Sequence, residues 1–245
     1  DINLGDGWGW QVDNGNVEFG GKINCSKPAT VYAPGHSVNQ NTKVTTEVVN
    51  FANVYNELVS ESSKLKDLAA NGTTEYKDGN MYLNGTSSTL NVFNITGDYA
   101  DYWSSTSSRT ITAKAGSTVI INIAGKSGSI INGLTLVDVD KCNVIYNYYE
   151  AKTLSFSSVS LLGSLLAPNA DVTYISGNIE GQAAVKSFTS YSAEFHNYTF
   201  TGDVPTPPQA VPEPSTLVGI VSGFSVLSAF GLRKRFTFNR WENYN

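Results

Sequence analysis

The chain has 245 residues, 40% hydrophobic and only 15% charged, enough for one sizeable domain with a tail. Against a typical charged share of roughly 25%, its surface must be covered by Ser, Thr, Asn and Gly, a texture of exported, repetitive β-proteins rather than cytoplasmic enzymes. The formal net charge is −5, with +2 after Ala210 and −7 over residues 1–210, and an acidic body without a Lys/Arg stripe argues against a nucleic-acid partner.

Residues 1–41 are rich in Gly and Asn, with Asn14-Gly15 and Gly20-Gly21 as turn signals between short runs, and predict short strands and loops. From 42 to 70, Val44, Val48, Phe51, Tyr55, Leu58, Leu65 and Leu68 recur at three- and four-residue spacing, which predicts one long amphipathic helix. Thr42 or Thr45 would cap its start, and Asn71-Gly72 would supply a left-handed stop. Beyond Gly72 the runs 89–95, 117–124, 130–137, 143–149, 153–162, 171–175 and 178–185 are short and rich in β-branched and aromatic residues. Two architectures fit them, an antiparallel β-sandwich or an irregular β-solenoid, and no strict repeat period chooses between the two.

Residues 203–214 hold five of the eight prolines and predict an extended linker, because proline supplies no backbone donor. Residues 217–232 carry no charge and are followed at once by Arg233, Lys234 and Arg235. As a helix of about 24 Å this run is short for a membrane span but workable with snorkelling cations, which would mark the cytoplasmic side.

Taken in order, Val211-Pro212-Glu213-Pro214, the apolar run and the basic stop resemble the PEP-CTERM sorting signal of Gram-negative and cyanobacterial surface proteins. That resemblance implies transient membrane insertion and processing at the Pro-Glu-Pro motif by an exosortase-type enzyme, with this protein as substrate. It also implies export, and so a signal peptide ahead of Asp1, either removed on export or lying outside this sequence. The tail 236–245 is longer than the family's usual few residues; an ordinary membrane anchor is the alternative. The expected organisation is an ectodomain over 1–202, the linker over 203–214, the anchor helix and stop over 215–235, and the tail.

The ectodomain carries a second resemblance. Residues 162–172, then Gly177-Asn178-Ile179-Glu180-Gly181-Gln182, then Glu194-Phe195-His196-Asn197-Tyr198, are similar to the C-terminal half of the "choice-of-anchor A" domain, whose members are regarded as adhesins or matrix proteins. The order of a helix followed by short β-runs also resembles the bacterial ice-binding-protein-type β-helix. This likeness implies a mainly β fold, a right-handed irregular β-solenoid with the long helix packed alongside, with the β-sandwich as alternative.

Of the chemistry-bearing residues, His36 and His196 are the only histidines, and His196 is expected to bond a neighbouring strand rather than act as a base. Asp98 with Asp101 and Asp138 with Asp140 offer hard oxygens to Ca²⁺ but lack calcium-loop spacing, so no cofactor or metal is expected. Cys25 and Cys142 make no framework and no zinc site by themselves; one bridge or two buried thiols both fit. Five sequons, at Asn24, Asn71, Asn84, Asn94 and Asn197, reflect abundant Asn and Thr in a bacterial chain. No catalytic residue is assigned. The expectation is a non-catalytic surface or matrix protein whose partners are an exosortase-type enzyme, surface glycans or further copies of itself in a filament, with Trp8 and Trp10 as assembly contacts. Ice binding through Thr110-Ile111-Thr112 and Thr135-Leu136 is one alternative, and a carbohydrate-active enzyme with two carboxylates about 5–10 Å apart is another.

Overall fold

The computed structural model describes residues 51–131 and 133–204, together with the backbone of six short strands between residues 2 and 40. The chain divides into two compact units, residues 1–52 and 53–245.

In the first unit, β1 (Ile2–Leu4) pairs with β4 (Ile23–Cys25), β2 (Trp10–Gln11) with β5 (Val31–Tyr32), and β3 (Val17–Phe19) with β6 (Val38–Gln40), all parallel. Ile2 faces Ile23, Trp10 faces Val31 and Val17 faces Val38, a constant step of 21 residues. Trp10 therefore stands on a strand, while Trp8, His36 and the side chains of Trp10 and Cys25 lie outside the described residues.

The second unit opens with α1 (Phe51–Lys66). The helix ends at Lys66 rather than continuing to Ala70, and residues 42–50 lie outside the described residues. Asn71 and Gly72 have no positive φ and form no left-handed cap. Instead both their backbone N–H groups donate to the Val92 carbonyl, and a Cβ on Gly72 would stand 2.2 Å from the Phe93 ring. Glycine is needed here for close approach.

An antiparallel hairpin of β7 (Thr73–Lys77) and β8 (Asn80–Asn84) follows, joined by Asp78-Gly79. Among the described residues every later strand pairing is parallel. Next in the chain are β9 (Leu90–Ile95), α2 (Asp98–Ser105), β10 (Ser108–Thr112), β11 (Thr118–Ile123), β12 (Ser127–Ile131) and β13 (Leu134–Val137). Then come β14 (Val144–Asn147), β15 (Thr153–Ser157), β16 (Val159–Leu161), β17 (Ser164–Glu180) and β18 (Ala183–His196).

These strands form three parallel ribbons. The first runs β9, β11, β14 and the start of β17. The second runs β12, β15 and the middle of β17. The third comprises β8, β10 and β13 and, separately, β16 with the end of β17. Because the 17-residue β17 joins all three directions and β18 follows it along most of its length, the eight-stranded sheet is continuous around its bends. The register shifts between Ala167 and Asp171, a stretch that contains Pro168, as expected where proline interrupts a ladder. Among the described residues the second unit is thus mainly β, with two α-helices, a curled, parallel eight-stranded sheet and a separate four-stranded one made by β7, β8, β10 and β13.

Alternate residues of each strand fill the interior, where Met81, Phe93, Ile111, Ile121, Tyr146, Phe156 and Tyr174 are fully buried. The second helix was not foreseen. Its Trp103 is fully buried and donates from Nε1 to the Tyr148 hydroxyl at 2.9 Å. Arg109, also fully buried, donates from Nε to the Trp103 carbonyl at 2.7 Å, a cation placed at the helix C-terminal turn. Among the described residues no helix is long and apolar enough to cross a membrane, and residues 217–232 lie outside them.

Candidate functional site

The outward side of the first ribbon is sealed. Val92, Ile120, Ile145, Leu166 and Ala184 project from it against Leu58, Leu65 and Leu68 of α1 and its trailing turn. Beside that apolar row stands a ladder of asparagines. Asn94 donates to the Leu68 carbonyl (3.2 Å), Asn122 to the Leu65 carbonyl (2.7 Å) and to Asn94 Oδ1 (2.9 Å), and Asn147 to the Ser62 carbonyl (2.8 Å) and to Asn122 Oδ1 (2.9 Å). Each buried amide thus finds partners in both the helix and the next strand, which removes the penalty of burying it.

After β18 the chain turns back over the same ribbon. Phe200 N–H reaches Gln182 Oε1 (3.4 Å), Thr201 N–H donates to the Cys142 carbonyl (2.8 Å), Thr201 Oγ1 donates to Asn143 Oδ1 (3.0 Å), and Gly202 lies against Thr118. Residues 197–204 are therefore a strap across the starts of β18, β14 and β11, with Phe200 and Val204 covering the apolar row.

The second ribbon has no such cover among the described residues beyond β12, whose Ser129 hydroxyl meets the Ser104 carbonyl of α2 at 3.4 Å. Its outward residues align in register. Ser127 faces Thr153, which faces Asp171, which faces Ser187. Ser129 faces Ser155, then Thr173, then Thr189. Ile131 pairs with Ser157, and the 18- and 16-residue offsets of the flanking pairs, carried one step further, bring Ile175 and Tyr191 into the same line, where Ile131, Ile175 and Tyr191 are 54%, 45% and 69% exposed. One unbroken hydroxyl row thus lies between a hydroxyl row that includes Asp171 and an apolar row that includes Ser157.

The third ribbon carries the threonines singled out from sequence. Tyr82, Thr110 and Thr135 share one row and Asn84, Thr112 and Val137 the next, so the hydroxyls do align but are interrupted by larger side chains. The better hydroxyl face went unread. Its signal was in the sequence as alternation: Ser127-Gly128-Ser129, Thr153-Leu154-Ser155-Phe156-Ser157 and Ser187-Phe188-Thr189-Ser190-Tyr191.

His196 stands directly opposite Glu180 in the β17–β18 register, so the two similarity motifs around them meet in space. Its Nδ1 lies 2.6 Å from Glu180 Oε1 and its Nε2 3.3 Å from Glu194 Oε2. Lys141 Nζ is 2.5 Å from Glu180 Oε2 and 3.4 Å from the centre of the Tyr198 ring. The Glu180 hydrogen bond, then that of Glu194, raises the His196 pKa against a desolvation that lowers it. For Glu180, burial alone would raise the pKa, but the bonds from Lys141 and His196 outweigh it and hold the carboxyl below its ordinary value. This arrangement fastens one strand to the next, as expected for His196.

The carboxylate pairs serve local geometry. Asp98 and Asp101 occupy the first turn of α2, Asp138 has φ +66°, and Asp140 accepts the Cys142 N–H at 2.7 Å. Among the described residues no group of three or more His, Cys, Asp or Glu is placed to hold a metal ion. Cys142 is a free, half-buried thiol whose pKa is pushed up by burial and by Asp140. Of the sequons, Asn71 and Asn94 spend their amides on backbone carbonyls, Leu90 and Leu68 respectively. Val211, Pro212, Glu213, Pro214, Arg233, Lys234 and Arg235 lie outside the described residues.

The profile of the family described as "Putative Ice-binding-like adhesive domain" matches residues 3–197. The chain belongs to that family. The ice-binding-like adhesive domain so defined covers both compact units and stops just where the strap begins. No curated protein and no solved structure matches the chain significantly. Membership places this adhesive domain among surface proteins that work by attachment.

Proposed function

We propose that this is an exported, non-catalytic cell-surface or matrix adhesin that attaches through a β-surface and reaches that surface through a PEP-CTERM signal. The observation that carries the reading is the family match over residues 3–197. An outer ribbon face of aligned hydroxyls, uncovered beyond β12 among the described residues, supports it, because attachment needs a broad contact surface rather than a cleft. The ectodomain is of the choice-of-anchor A type and its fold a right-handed irregular β-solenoid with α1 alongside. Parallel pairing in three directions, advancing 28 residues from Tyr82 to Thr110 and 16 from Thr173 to Thr189, supports the solenoid over a sandwich.

The non-catalytic reading draws on the site chemistry. Glu180 is the buried carboxylate among the described residues, and its oxygens are engaged by Lys141, His196 and Asn178. A shallow cleft of about 250 Å³ beside α1, lined by Lys66, Tyr149, Glu150 and Asn169, presents one carboxylate where a glycosidase needs two. No cofactor is required. An exosortase-type enzyme is the processing partner, acting at Pro212-Glu213-Pro214, and Arg233, Lys234 and Arg235 are the membrane stop. Further copies of the chain, met through Trp8 and Trp10, are the partners in any filament.

The test is fractionation of producing cells with antibody to the ectodomain. The natural chain is expected in the surface or culture fraction without its apolar segment, whereas a Glu213→Ala variant accumulates uncut in the membrane. Recovery of the natural chain from the cytoplasm with 217–232 intact would sink the reading. Ice binding is the second reading, favoured by the in-register hydroxyl rows, and inhibition of ice recrystallisation tests it.

A further inference from the structure

We infer that the outward face of the second ribbon is the attachment surface and that its partner is an extended, uncharged polysaccharide. The inference deepens the adhesin reading and rests on it. It begins by elimination among the three ribbons. The first is covered by α1 and the strap, and the rows of the third are broken by Tyr82, Asn84 and Val137.

On the second ribbon the residues repeat in two directions. Neighbouring strands bring equivalent side chains about 4.8 Å apart, and alternate residues along a strand stand about 6.7 Å apart. Parallel, in-register pairing preserves this grid over the four levels from β12 to β18. A linear polymer lying across the strands meets a hydroxyl at every step of the Ser129 row, while Asp171 takes one place in the Ser127 row and Ser157 one place in the third. An extended sugar chain does this with hydroxyls along its edges and C–H groups on its ring faces. The rows led by Ser127 and Ser129 supply donors and acceptors for the first. Exposed Ile131, Ile175 and Tyr191, brought towards one line by the flanking register with Ser157 between the first two, supply an apolar rail for the second.

Charge selects the kind of polymer. The face itself carries one charged residue, Asp171, and its carboxylate is held by Lys186 Nζ at 2.8 Å and by the Ser187 hydroxyl at 2.6 Å. At the border where β12 and β15 begin, Lys126 and Lys152 are exposed, and Glu150 shares that corner through its bond to Gly125 N–H at 3.1 Å. The five charges nearly cancel, on a chain that is acidic as a whole. A uronate-rich or sulfated polymer gains little from such a surface, and an uncharged one loses nothing.

The test is retention of the full chain on washed microcrystalline cellulose and on chitin, measured from depletion isotherms. The natural chain is expected to be retained on at least one of them in moderate salt. Tyr191→Ala and Thr173→Lys, both at exposed or half-exposed positions, are expected to weaken retention about tenfold each. Thr110→Lys on the third ribbon leaves it unchanged, and unfolding midpoints of all three match the natural chain. Several results overturn the inference. One is failure of the natural chain to be retained on either polymer while fractionation still finds it at the cell surface, which leaves the adhesin reading standing. Another is salt-sensitive retention on polygalacturonate alone, which assigns binding to the border lysines. A third is a natural chain that sediments as an oligomer and becomes monomeric on Tyr191→Ala, which makes the rail a contact between copies. The last is ice-recrystallisation inhibition lost on Thr173→Lys with no retention on any polymer.

Discussion

His196 and Glu180 couple the last two strands through a bond whose strength follows protonation. The His196 pKa is raised in the folded chain, so its contribution is fully present below the ordinary imidazole value and is lost as pH rises through the folded one. Glu180 is depressed, so its contribution is present above the ordinary carboxyl value and is lost as pH falls through the folded one. The two overlap in mildly acidic solution. The His196→Ala variant should therefore lower the melting temperature more at about pH 5.5 than at about pH 8.5. The difference will be modest, because the imidazole is 42% exposed and water screens the pair. Equal losses at both values, by thermal unfolding, would show that the residue acts through packing alone. The same motif was legible in the sequence as a Glu-Phe-His-Asn-Tyr string, but its partner was not, since nothing in a linear reading places residue 196 opposite residue 180.

At the scale of elements, β17 is the piece that joins the first ribbon, the second ribbon and β16 into one sheet, while β7, β8, β10 and β13 form a separate one, and Gly177 is where it bends towards β16. Its φ is +111°, and a Cβ there would stand 2.0 Å from the Val159 carbonyl oxygen. Gly177→Ala should cost about 1–3 kcal/mol, read as a lower denaturant midpoint, and more if β16 separates from β17. The sequence showed this region as two strands, 171–175 and 178–185, because a Ser-Gly-Asn string reads as a turn. In the structure that string is a bend within a continuous strand. Conversely, the predicted run 130–137 is two strands, separated before Leu134 by Gly133 with φ +47°, and 153–162 is divided at Ser158, which has φ +54°. The body of α1 was legible because sixteen residues are enough for a helical period to repeat. The eight residues of α2 are not, and Asp98 to Ser105 reads as polar loop until Trp103 is seen to fill the interior. Ribbon register was illegible for a related reason. The step between partners varies from 28 residues down to 16, so the repeat has no fixed length to detect.

For the molecule as a whole, the strap makes residues beyond the last strand part of the second unit's packing. A chain stopped after His196 would lose Phe200 and Val204 from the apolar row formed by Ile120, Ile145, Leu166 and Ala184. Such a truncation should bind an apolar dye and unfold at a lower temperature, although every strand is still present. An unchanged melting temperature would mean the strap merely rests on the sheet. If it holds, removal of the residues beyond 204 should leave the stability of the second unit's described part untouched.

The order in which α1 meets its partners bears on how the chain acquires its shape during secretion. Leu68 bonds a residue 26 positions later, Leu65 one 57 later, Ser62 one 85 later and Tyr55 one 114 later. The helix is produced early, but its berth is laid down strand by strand from its C-terminal end backwards, so docking closes like a zipper as translocation proceeds. Until β17 has crossed, the turn bearing Tyr55 has nothing to grip, and each further strand lengthens the loop that must close. A secretion route that delivers the polypeptide N-terminus first thus meets a fold whose earliest helix is secured last.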